Sequence, residues 1–389
     1  MTDTSKKEQL YTLIRANPFI SQQELAVELR LSRSAVAGHI AGLIRERRLL
    51  GRAYVLPDKR PILCLGAANL DRKLRTVDTL KLGTSNPATA EEVFGGVARN
   101  IAENLALLGI PSALLTALGD DPAGRALQAH AEGAGIDMRG SLRLADTYSG
   151  TYTAVLDERG ELVLALADMA LYAQLTPEFL ISRAPQRTGA AMTVADLNLP
   201  LASVATLVID ARRAAVPLVI VAVSEPKMVH LPADLHGVRL LILNQGELET
   251  RVGRALPTRD ALTAACRDVQ AQGVQDLIIT SGGEGVFHTC AGGELAWLPA
   301  PQVDVVDVTG AGDAFAAGVC WSLYQGSDDL TLACRRGLKV AAMTLESPDT
   351  VSPLLAADIL DEINDFDLAA LPYPFPQPAA AAPVQPHQD

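Results

Sequence analysis

The stretch Asp307-Val308-Thr309-Gly310-Ala311-Gly312-Asp313 is the part of this chain best suited to chemistry, because small residues precede a carboxylate and an apolar run, Ala314 to Val319, follows it. With nothing bulky at 310 to 312, backbone amides at a helix start can approach an anion closely, and the helix dipole favours negative charge there. Asp313 sits at the focus of that pattern. A carboxylate beside a bound phosphate is repelled unless it has a task, and the available task is accepting a hydroxyl proton while that oxygen attacks a phosphoryl group. The same residue could instead simply cap its helix.

Other clusters fit the same chemistry. Gly95-Gly96-Val97-Ala98-Arg99-Asn100 opens a helical pattern that runs through Asn104 to Gly109, with Pro111 beyond. The two glycines would let a sugar approach the backbone, and Asn100, one turn later, would aim an amide at the same place. The same pattern also suits a helix-packing glycine pair with a solvated Asn. The aliphatic run Ile62 to Leu65 ends in Gly66-Ala67-Ala68-Asn69-Leu70-Asp71, which places Asn69 and Asp71 just beyond the carboxyl end of a strand. Asp71 could equally be a turn-forming residue. Asn244-Gln245-Gly246-Glu247 follows another aliphatic run, and Thr280-Ser281-Gly282-Gly283-Glu284-Gly285 forms a glycine loop after a third.

The elements that must hold these residues are short aliphatic runs alternating with amphipathic stretches: 62–65, 113–117, 192–195, 217–223, 240–243 and 277–280. Such alternation predicts a parallel sheet covered by helices on both faces. The Asp307 stretch reads as strand, glycine turn and buried helix. Residues 151–156 and 162–167 flank Asp157-Glu158-Arg159-Gly160 and read as an antiparallel hairpin apart from that sheet, a candidate lid. Residues 371–389 are rich in Pro and Ala and read as a disordered tail.

Residues 1–57 have a different character. Helical spacing predicts one helix ending before Pro18, a second opened by the capping box Ser21-Gln22-Gln23-Glu24, and a third capped by Ser32. A short ribbon over 49–56 and a linker over 58–61 follow, which together give a winged helix-turn-helix pattern. Residues 1–60 carry 11 Lys+Arg against 6 Asp+Glu, a balance of +5, so the net charge of −12 leaves −17 for the remainder. A basic head on an acidic body assigns any contact with double-stranded DNA to the head, with Ser32, Arg33, Ser34 and His39 facing a groove and Arg45, Arg47, Arg48 and Arg52 meeting phosphates. Dimerisation or docking is the other use of such a module. Five cysteines without C-x-x-C spacing suggest neither disulfides nor zinc and read as buried small hydrophobes. A polar, charged N-terminus and the lack of any long apolar run predict a cytoplasmic protein that does not span a membrane.

The Asp307 to Asp313 stretch resembles the C-terminal signature of the ribokinase (PfkB) carbohydrate kinases, and Gly95-Gly96 with Asn100 resembles their N-terminal one. The resemblance covers about residues 61 to 365. It implies a three-layer α/β/α sandwich with a small β-lid over residues 62–368, dimerisation through that lid, and transfer of the ATP γ-phosphoryl to a hydroxyl. Asp313 would be the base and the amides around Gly310, Ala311 and Gly312 the anion hole. Asp71 would accept hydrogen bonds from ribose-like hydroxyls, with Asn69 and Asn198 lining the pocket. On the nucleotide side it implies Asn244, Glu247, Thr280, Gly282, Gly283, Gly285 and Thr309, with Glu247 orienting Mg²⁺ through water and Asp307 at a monovalent-cation site for K⁺. Thr84-Ser85-Asn86-Pro87, the Arg99 to Asn104 helix and Ala167-Asp168-Met169 look like the pseudouridine kinase branch. Asp168 would then bond the base or merely end the second lid strand. A sensor of nucleosides or sugars that regulates transcription through the head is the rival reading.

Overall fold

The computed structural model describes residues 6–18, 20–51, 59–214 and 216–361. By its internal contacts the chain divides into two compact units, Met1–Arg60 and Pro61–Asp389.

The first unit holds three helices, α1 (Lys6–Ala16), α2 (Gln22–Leu29) and α3 (Arg33–Arg45). The predicted capping box opens α2: Ser21 Oγ accepts from Glu24 N at 3.1 Å, and Glu24 Oε2 accepts from Ser21 N at 2.7 Å. Such a cap is worth about 1 kcal/mol. Arg30, in the left-handed region at φ 52°, closes α2, and Ser32 caps α3. Leu10, Ile14, Leu25, Val36, Ile40 and Leu43 form the core that the helical spacing implied. The predicted ribbon, and Arg52 with it, lies largely outside the described residues. The Arg48 guanidinium pairs with Glu8 and lies 4.0 Å over the Tyr11 ring, both partners of the pair being partly exposed.

The second unit runs β1 (Ile62–Leu65), β2 (Asn69–Thr76), β3 (Ala88–Gly95), α4 (Val97–Leu107), β4 (Ser112–Leu115), β5 (Ala117–Gly119), α5 (Pro122–Gly133), β6 (Leu142–Leu144), β7 (Thr151–Leu156), β8 (Leu162–Asp168), α6 (Pro177–Ser182), α7 (Ala184–Gly189), β9 (Met192–Asp196), α8 (Leu201–Ala214), β10 (Leu218–Val221), β11 (Val238–Asn244), α9 (Gln245–Val252), α10 (Arg259–Gln270), β12 (Asp276–Thr280), β13 (Val286–Cys290), β14 (Ala296–Leu298), α11 (Ala311–Tyr324) and α12 (Leu330–Leu345). Eight strands form one sheet in the order β14-β13-β12-β11-β10-β9-β1-β4, parallel from β12 to β4 with β13 and β14 antiparallel at one edge. Alternate residues of its strands enter different cores. Ile62, Cys64, Val219 and Ile242 pack with α4, α11 and α12, whereas Leu63, Leu65, Ile220 and Leu241 pack with α8 and α10. Burial on both faces is why these strands read as unbroken aliphatic runs.

The predicted hairpin is β7–β8, but it belongs to a four-stranded sheet of order β3-β2-β7-β8 that sequence periodicity did not anticipate. Two other expectations are corrected. Residues 307–309, expected as a strand before the glycine turn, are irregular, and Val308 is exposed. Of the five cysteines, Cys290 is exposed and the other four are buried.

Candidate functional site

The glycine turn is built by close approach. Gly310 adopts φ 82°, and a Cβ there would collide with the Thr350 carbonyl oxygen, so the position requires glycine. Gly310 is also the N-cap of α11, which has no side-chain cap, and Gly312 faces open space. Ala311 N donates to Val308 O at 3.4 Å, so the amides of Gly312 and Asp313 are the ones this turn presents as a site for an anion. Asp313 lies in that turn and accepts a hydrogen bond of 2.7 Å from Asn100 Nδ2, which joins two motifs 213 residues apart. Removal from bulk water pushes the Asp313 carboxyl up to about 7; the Asn100 bond and the Arg99 charge oppose this, while Asp196 and Asp71 reinforce it.

Asn69 and Asp71 lie just beyond the carboxyl end of β1, as expected, and they open lid strand β2. Asn69 stands opposite Gly95 in the β2–β3 ladder and donates to Asp71 Oδ1. A Cβ on Gly95 would occupy the space of the Asp71 carboxylate, which accounts for the first glycine of its pair. Burial raises Asp71 to about 6 against the pull of Asn69, Arg99 and Lys73. Asn198 is buried beside Asp196. Asp168, at the exposed end of β8 opposite Thr151, has no described hydrogen bond or ion pair with this cluster.

Asp196 was not picked out from sequence, although it ends an apolar strand at the sheet's carboxyl edge, where ligand sites gather. It is 1% exposed and accepts from Ala67 N at 2.9 Å, Ala98 N at 3.1 Å and Asn198 N at 2.8 Å, so it pins three segments around the cleft. Tyr172 holds the same loop, donating to Ala68 O at 2.6 Å. Lys73 and Thr350 were likewise missed. Lys73, in β2, pairs with Asp307, so an ammonium sits where the resemblance implied K⁺. The other Asp307 oxygen accepts from Thr309 N at 2.8 Å and Thr309 Oγ1 at 2.7 Å, which turns Thr309 toward Asp307.

A cavity of about 460 Å³ opens beside the turn. Thr280, Gly282, Gly283 and Gly285 line one side, Ala311 and Gly312 another, and Val286, Phe315, Leu338 and Leu345 give it an apolar wall. Asn244 is the neighbour of Thr280 across β11 and β12, at the same edge of the sheet. The Asn244 to Glu247 spacing is a capping box: Asn244 Oδ1 accepts from Glu247 N at 2.8 Å, and Glu247 Oε2 accepts from Asn244 N at 2.7 Å. Glu247 is buried, and desolvation with the Glu225 charge raises its pKa against that bond. Among the described residues no group of three His, Cys, Asp or Glu side chains is placed to hold a metal ion.

Comparison with known proteins agrees with this geometry. The family model described as pfkB family carbohydrate kinase matches residues 59–357. The uncharacterized sugar kinase YeiI of Escherichia coli K12 is 32% identical over 357 residues, covering 91% of this chain and 97% of its own length. The pseudouridine kinase of the same organism is 32% identical over 289 residues, covering 71% and 92%. Among solved structures, a carbohydrate kinase from Agrobacterium tumefaciens superposes with a TM-score of 0.67 at 32% identity, covering 78% of this chain and 96% of its own.

Proposed function

The chain belongs to the pfkB family of carbohydrate kinases, and from that premise we propose that it transfers the γ-phosphoryl of ATP to a hydroxyl of a nucleoside or ribose-like sugar, with pseudouridine, phosphorylated at its 5′-hydroxyl, as the first candidate. The observation that carries this reading is the Asn100–Asp313 bond in the uncapped first turn of α11, beside a cavity walled by a glycine loop. The residues fit a nucleotide: the cavity has an apolar wall for a base, and its glycines with the amides of Gly312 and Asp313 suit a phosphate chain. Magnesium, bound chiefly by phosphates and water, would neutralise charge on the transferring group. Glu247, committed to its cap, would act on that ion only through water.

In this reading Asp71 and Asn69 orient the sugar from the lid. Asp313 takes the proton of the attacking hydroxyl as the new O–P bond forms and the bond to the ADP oxygen breaks. The amides of Gly312 and Asp313 stabilise charge on the transferring phosphoryl. Pseudouridine is favoured by the 32% identical pseudouridine kinase and by Thr84 to Pro87 with Ala167 to Met169. The test is ADP release with MgATP across pseudouridine, uridine, cytidine, inosine, adenosine, ribose and fructose 6-phosphate. Turnover with one acceptor, reduced about 10²- to 10⁴-fold in Asp313→Ala, is the expected result. Absence of turnover with every acceptor would overturn the reading.

For residues 1–57 we propose a winged helix-turn-helix that contacts double-stranded DNA, on the strength of the capped turn between α2 and α3 and the exposed Arg33 and Ser34 at the start of α3. Arg45 is exposed at the other end of α3, and His39 is half-buried. Fluorescence anisotropy with duplex DNA should show binding that weakens with salt and with Arg33→Ala. Binding that shifts on adding a nucleoside, without turnover, would favour the regulator. A second copy pairing along β8, every residue of which is exposed, is the proposed dimer, and sedimentation of Leu164→Glu tests it.

A further inference from the structure

Arg99 is the most deeply buried cation among the described residues, 2% exposed. Its guanidinium donates to the Phe94 and Gly95 carbonyls at the end of β3, to Glu103, to Asn100 Oδ1, and to Thr350 Oγ1 at 3.1 Å. Thr350 Oγ1 donates in turn to Phe94 O at 2.9 Å, and the Thr350 carbonyl is the atom packed against Gly310. Glu103 is shared with His130 Nε2 at 3.0 Å, and the His130 ring lies 4.5 Å from that of Phe94. An arginine has donors only, so the oxygen end of the Asn100 amide must turn to Arg99 and its nitrogen end to Asp313.

We propose that Arg99 is a positioning residue for phosphoryl transfer, fixing the donor end of the Asn100 amide on Asp313 and clamping lid strand β3 and the Thr350 segment to the Gly310 turn. The proposal rests on the kinase reading above. The groups facing Asp313 are Asp71 from β2, Asp196 from β9, and Arg99 with Asn100 from α4, so Arg99 is the cation in that set. Removing it takes away both a positive charge and the constraint that keeps a donor on the carboxylate. Each loss disfavours the ionised base, so the pH at which Asp313 becomes competent must rise.

The experiment uses the full chain as wild type, Arg99→Met, Arg99→Lys and the double variant Arg99→Met with Glu103→Gln, which spares Glu103 a buried unpaired charge. The readouts are the pH dependence of kcat/KM and titration of the Asp313 carboxyl followed by NMR. In Arg99→Met the acid limb and the titration should both move up by ~0.5 unit or more. Its kcat should fall about tenfold or more with the KM for ATP little changed, and Arg99→Lys should recover part of the loss. Where Arg99→Met fails to fold, the double variant and Arg99→Lys give the same comparison. An acid limb and titration that coincide with wild type in the folded variants overturn the proposal. Wild-type turnover with an unmoved titration defeats this inference alone, whereas wild-type silence toward every acceptor defeats the kinase reading on which it stands.

Discussion

The carboxylates at the cleft have opposite demands on them. On the proposed role as base, Asp313 must be ionised to accept a proton, yet burial pushes its carboxyl up to about 7, so activity should rise with pH through an acid limb near that value. Its folded pKa lies above the ordinary 3.8, so the folded state binds the extra proton between those values and stability falls as pH rises through about 7. Asp313→Asn should therefore raise the melting temperature at pH 8 relative to wild type and much less at pH 5, by ~2 °C or more at the higher pH; calorimetry at the two pH values checks this. Gly310→Ala meets both a positive φ and the Thr350 carbonyl, and should cost ~2 kcal/mol or more together with most activity, measured by denaturant unfolding and ADP release. The placement of Gly310 and Asp313 at the start of a buried helix was legible in sequence, because small residues before an acid and an apolar run suit a glycine turn into a helix. Asp196, Arg99 and Thr350 were not, since each also holds a partner far along the chain, from 98 positions for Asp196 with Ala98 to 251 for Arg99 with Thr350.

At the scale of elements, what was legible depended on burial. Strand β1 was read to the residue because it is buried on both faces, and α2 and α3 because their caps are local. Strands β2 and β3 were missed: their sequences, NLDRKLRT and ATAEEVFG, are polar along an exposed lid and show no clean alternation. The strand expected ahead of the glycine turn is irregular over 307–309, where Val308 is exposed rather than paired into the sheet. Asn244 to Glu247 shows a different limit, since a helix cap and a ligand pair share one spacing. Lys73 ties the lid to the turn through Asp307, both partners being partly exposed. Lys73→Met should change stability by no more than about 1 kcal/mol. It should nonetheless raise the KM for the acceptor more than it lowers kcat, because β2 also carries Asn69 and Asp71; steady-state kinetics beside an unfolding curve separate the two effects.

Over the whole molecule, the change in charge between residues 1–60 and the rest marked the division that the contacts also show, while the aliphatic alternation marked the sheet. How the lid is assembled was illegible, because it depends on pairings such as β2 with β7 that cross about 80 residues of chain. The contact between Asn100 and Asp313 spans more than half the chain, and the Gly310 turn is shaped by Thr350, beyond α12. A nascent chain that has emerged through α11 therefore holds every signature residue and still lacks the wall that shapes its anion turn. A chain ending after Glu346 should fold most of its sheet yet show little turnover, whereas one ending after Asp361 should be active; ADP release from the two truncations decides it. On the kinase reading, turnover waits on the Thr350 segment: a copy halted just after α12 would carry the signature residues and still spend no ATP.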